Sequence, residues 1–97
     1  MGGASWSALG TEEIARRLQT MQGWATVHER LVKTFSFNGF VSAVRFVDRL
    51  TEVAEQQGHH PDLWVSWGKV RVELGTHNAA AITEADFRLA TAIDALS

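Results

Sequence analysis

The chain has 97 residues, no cysteine, and a formal charge of −2 with a pI near 6.0. That length gives one domain, and the missing cysteine rules out disulfides, thiolate metal sites and cysteine nucleophiles. The weak acidic balance, with Arg16-Arg17 as the one adjacent basic pair, argues against a nucleic-acid partner. No apolar stretch reaches the ~20 residues of a membrane span, and residues 1–10 lack the basic and apolar regions of a signal peptide. A soluble cytoplasmic protein is expected.

Residues 1–10, small and glycine-rich apart from Trp6 and Leu9, read as a flexible lead-in, leaving 11–97 as the single domain. Thr11 is placed to cap a first helix with Glu12 and Glu13 in its opening turn and Ile14, Leu18 and Met21 along one face, ending at Gly23. From Trp24 to Phe37 the period shortens to two, with Leu31, Lys33, Phe35 and Phe37 alternating, which predicts two strands joined near Glu29. Asn38 then serves as N-cap of a long helix carrying Phe40, Val44, Val47, Leu50 and Ala54, widened by Phe46 and Val53 and stopped at Gly58.

Pro61 bars continuation of that helix, and alternation returns from Leu63 to Thr76, with Val70, Val72 and Leu74 on one face and a turn at Trp67-Gly68-Lys69. Thr83, followed by Asp86 at capping-box spacing, starts a last helix with Phe87, Leu89, Ala90, Ile93 and Leu96 on its apolar side. The order α-β-β-α-β-β-α predicts an α+β fold: a four-stranded antiparallel sheet with the helices packed on one face. Such a sheet has open edges, and pairing with a second copy is one way to cover them.

Four histidines are the candidates for proton chemistry near neutral pH. His28 reads as a surface turn residue. His59 and His60 sit between Gly58 and Pro61 in a short, stiff connection that suits catalysis, although two polar residues at a helix exit explain the same pattern. His77 follows the last strand in Gly75-Thr76-His77-Asn78, where loop residues often carry function. Glu55 and Asp86 are each placed to orient an imidazole, Asp86 with the competing explanation of a helix cap. Zinc is disfavoured by the spacing, and no serine elbow or phosphate loop is present.

The run Glu55-Gln-Gln-Gly-His59-His60-Pro61, then Thr76-His77, then Ile82-Thr83-Glu84-Ala85-Asp86 resembles the pterin-4a-carbinolamine dehydratase family, over roughly Thr11 to Leu96. The resemblance implies loss of water from 4a-hydroxytetrahydropterin to give quinonoid dihydropterin, as a step in tetrahydropterin recycling, with no metal or organic cofactor. It implies His59 and His77 as the acid/base pair, His60 lining the pterin site and Asp86 as a supporting carboxylate. Gly58, Gly75, Thr76 and Asn78 match substrate-binding positions, with Glu55 and Trp24 close by, though burial preference favours Trp24 as a core aromatic. A homodimer or homotetramer is implied. The chain departs from the family pattern at Gly58, where Asn or Asp is usual, at Trp67, where Tyr is frequent, and at Ala79-Ala80-Ala81, which often contains glycine. Similar proteins also include binding and assembly factors, a homeodomain-factor dimerisation cofactor and Rubisco assembly proteins among them, so a non-catalytic role with an unidentified protein partner is the alternative.

Overall fold

The computed structural model of the protein describes residues 7–76 and 81–97. Its elements are α1 (Thr11–Leu18), β1 (Ala25–Val27), β2 (Arg30–Ser36), α2 (Phe40–Gln57), β3 (Asp62–Ser66), β4 (Lys69–Leu74) and α3 (Glu84–Asp94). The strands form one antiparallel sheet in the order β1-β2-β4-β3, so the expected architecture holds.

Both hairpins turn at the expected places. His28 and Glu29 take φ of 49° and 62°, the paired positive values that a two-residue turn needs to match the strand twist. Gly68, at φ 74°, makes the second turn, where Phe37 N–H donates to its carbonyl at 2.7 Å. Register sets the faces: Leu31, Lys33 and Phe35 lie beside Leu74, Val72 and Val70 on the side that meets the helices. Lys33 tolerates this position by running its ammonium 4.7 Å over the Phe35 ring to the Asp94 carboxylate, 2.8 Å away.

α2 buries Ala43, Phe46, Leu50 and Ala54 against β3, β4 and α3. Phe46 is fully enclosed, with Phe35 and Phe37 rings at 4.8 and 5.0 Å. Three details depart from expectation. The cap positions are Gly10 and Gly39 rather than Thr11 and Asn38, with no side-chain cap bond at either. Phe40 is 52% exposed rather than part of the core stripe. Side chains of a helix lean toward its N-terminus, and Phe40, in the first turn, has no preceding turn to cover. α1 stops at Leu18, short of the expected Gly23. It buries no residue fully and is tied to α3 by the Arg17–Glu84 ion pair at 2.6 Å. The Glu13 carboxyl, bonded by Arg17 and then Arg16, is held below its ordinary pKa.

Candidate active site

The connection leaving α2 is built by Gly58, whose φ of 63° and ψ of 29° few side chains accept. Its N–H donates to Glu55 C=O and the following His59 N–H to Ala54 C=O, both at 3.2 Å, which is the Schellman closure of a helix. Asn and Asp, the residues that the resemblance leads one to expect here, are the side chains most tolerant of this conformation, so glycine at this position keeps the same backbone geometry.

The two neighbouring histidines part company here. His59 turns inward, its side chain 15% exposed, and its Nε2 lies 2.5 Å from Asp86 Oδ1. His60 turns outward, 63% exposed, with Nε2 at 2.5 Å from Glu55 Oε2. That second pair stands in water on both sides and contributes little to stability.

Asp86 is completely buried at the start of α3. Its Oδ2 accepts from Thr83 N–H at 2.8 Å and from Thr76 Oγ1 at 2.9 Å, and the two threonine hydroxyls are 2.7 Å apart. Thr83 Oγ1 also accepts from Ala85 N–H at 3.2 Å, completing a capping box. The two explanations open for Asp86 are therefore one arrangement: one oxygen caps the helix and the other faces an imidazole. Burial of a carboxylate is costly unless its lone pairs are filled, and here three donors fill them. Sequence reasoning named Thr83 only as a cap and missed its hydroxyl contact to Thr76. The legible signal was that a capping-box aspartate has a second oxygen to satisfy.

The remaining candidates divide clearly. His77 and Asn78 lie outside the described residues. Thr76, which precedes them, pairs with Ala81 across both backbone groups, N–H to C=O at 2.9 and 3.4 Å. Gly75 is buried against Arg30, whose Nε would lie 3.4 Å from an added Cβ. Arg30 reaches across the outer sheet face to Asp62 at 2.5 Å. Trp24 is not brought to the cluster. It is 5% exposed, packs edge-on to Phe35, and donates its indole N–H to Asp94 at 3.0 Å. Asp94 lies eight residues along α3 from Asp86, about 12 Å at the helical rise.

Around His59 the described residues leave a recess of about 40 Å³ lined by Gln57, Gly58, Ala85 and Arg88, room for a water molecule. A larger cleft of about 440 Å³ lies under α1 between Leu9, Ile14, Leu18 and Ile82, and has no histidine in its wall. Among the described residues no group of three or more His, Asp or Glu is arranged to hold a metal ion. No helix among them is long and apolar enough to cross a membrane.

Comparison with known proteins places these residues in context. The family model described as pterin 4 alpha carbinolamine dehydratase matches residues 7–96. A protein of Thermosynechococcus vestitus named "Putative pterin-4-alpha-carbinolamine dehydratase" is 44% identical over 89 residues, covering 92% of this chain and 94% of its own. One of the same name from Sulfolobus acidocaldarius is 42% identical over 86 residues, covering 89% and 94%. Among solved structures, a transcriptional coactivator/pterin dehydratase from Brucella melitensis superposes with a TM-score of 0.89 at 29% identity, over 93% of this chain and 98% of that one. A pterin dehydratase-like RuBisCO assembly factor of the alpha-carboxysome gives 0.62 at 26% identity, over 75% and 84%.

Proposed function

The chain belongs to the pterin 4 alpha carbinolamine dehydratase family, and from that premise we propose that it is a lyase removing water from a 4a-hydroxytetrahydropterin. The observation that carries this reading is the His59 imidazole set 2.5 Å from a buried carboxylate that two threonines hold in place. A chain kept only to bind a partner has no chemical need for a buried, oriented imidazole.

The reaction breaks the N–H bond at the ring nitrogen and the C–O bond at the adjacent carbon, and forms the C=N double bond of quinonoid dihydropterin. One group takes the nitrogen's proton and another gives a proton to the departing hydroxyl, so water leaves and charge balances. Imidazole, the side chain whose free pKa lies nearest neutral pH, suits both tasks. His59 and His77 form the acid/base pair in this reading. His60 with Glu55 lines the pterin site, Gly58, Gly75, Thr76 and Asn78 bind substrate, and Asp86 supports His59. The reaction serves tetrahydropterin recycling in the cytoplasm. Purified protein is expected to speed loss of the carbinolamine in a coupled pterin hydroxylase assay without added metal. A rate equal to buffer alone would sink the reading.

The active form is a homodimer or homotetramer. Support comes from β3, which among the described residues pairs with β4 on one side only and exposes Trp64 and Val65, with Trp67 exposed at its turn. Val65→Lys is expected to shift the light-scattering mass toward monomer, and a wild-type mass of one chain at micromolar concentration would contradict the assembly. The second reading, a binding or assembly protein, is favoured by the likeness to the RuBisCO assembly factor. A wild type inactive in the assay yet pulling down a defined partner would establish it.

A further inference from the structure

The bonds around Asp86 run in one direction only. Thr83 N–H can only donate, and it donates to Oδ2. An ionised carboxylate can only accept, so the Thr76 hydroxyl proton is also committed to Oδ2. Thr76 then has no second proton, and the 2.7 Å contact between the two hydroxyls uses the proton of Thr83. Thr83 Oγ1 receives the Ala85 N–H in turn. The chain therefore reads Ala85 to Thr83 to Thr76 to Asp86, with every proton pointing at the carboxylate.

The same logic fixes the ring beyond it. Oδ1 accepts, so His59 Nε2 carries the hydrogen in the 2.5 Å bond. A neutral imidazole has a single N–H, which leaves the lone pair on Nδ1. We propose that Thr76 and Thr83 are positioning residues that hold His59 through Asp86 as its Nε2–H tautomer, so that Nδ1 is the atom that takes the proton from the substrate's ring nitrogen. This rests on the dehydratase reading above, and it assigns His59 as the base of the pair. The ring N–H pair becomes the second bond of the C=N group, the C–O pair leaves with the hydroxyl, and the other member of the pair protonates it to water. His59, now imidazolium, is stabilised by Asp86 and returns its proton to solvent.

Asp86→Asn tests this with a defined sign. Two donors meet at the Oδ2 position, and only the amide oxygen satisfies them, so the amide NH₂ must face His59. It then needs a lone pair at Nε2, which forces the hydrogen onto Nδ1. In ¹⁵N spectra of the full-length protein, at a pH where His59 is neutral, the wild type is expected to show a pyrrole-like Nε2 and a pyridine-like Nδ1, and D86N the reverse. Turnover in D86N is expected to fall about 10²–10⁴-fold with the far-ultraviolet dichroism unchanged. Should D86N not fold, Thr76→Val is expected to keep the Nε2–H tautomer but to loosen Asp86 and lower kcat about tenfold, with Thr76→Ser restoring the rate. An active wild type with Nδ1–H, or a D86N that keeps the wild-type tautomer, would overturn the base assignment and leave the dehydratase reading standing. An inactive wild type with the expected tautomer would instead overturn the dehydratase reading and the base role together.

Discussion

His59→Gln is expected to lower the dehydration rate about 10²–10⁴-fold while leaving the protein folded. The glutamine amide can still offer an N–H to Asp86, so the buried carboxylate keeps its third donor, but no amide exchanges protons near neutral pH. His59→Ala is expected to lose the same rate and also about 1–3 kcal/mol of stability, because Asp86 Oδ1 is left buried without a partner. Initial rates in the coupled assay, together with thermal melts of both variants, separate the two effects. Retention of rate within a few-fold in His59→Gln would show that the imidazole takes no part in proton transfer.

Phe46→Ala is expected to be the most damaging single truncation in the core. The ring is fully enclosed, and it joins Phe35 and Phe37 of β2 and its exit to α2, so its removal opens a cavity where sheet and helix meet. Such losses cost about 3–5 kcal/mol, a fifth or more of the roughly 5–15 kcal/mol that holds a domain together. A fall in Tm on the order of 20 °C follows. Phe40→Ala supplies the control: the same chemical change at a ring 52% exposed is expected to stay within about 0.5 kcal/mol. Equal costs at the two positions would refute the burial argument.

The element order and the pairing of strands were legible because period-two and period-near-four patterns alternate cleanly, with Gly58, Pro61 and Gly68 as punctuation. The capping box of α3 was legible for the same local reason. Caps of α1 and α2 were misread because a side chain of suitable type only permits a cap bond, and the chain enters both helices through glycine instead. The site was half legible. Adjacent letters made His59 and His60 look like a pair, whereas beyond the helix end the two side chains part, one to Asp86 of α3 and one to Glu55 and solvent. Contacts such as Trp24 to Asp94, 70 residues apart, carry no local signature at all. Burial of the indole and its N–H partner decided that position.

The capping box at α3 has a bearing on how this protein can change. Terminal turns of helices commonly loosen on their own, at small cost and without effect elsewhere. Here the third residue of α3 is also the anchor of the His59 ring, so each opening of that turn releases the imidazole. Amide exchange at Ala85 and Asp86 thus reports the fraction of time the site is assembled. Selection for a tighter start to this helix and selection for a better-held base act on the same residues, and neither property can drift far without the other.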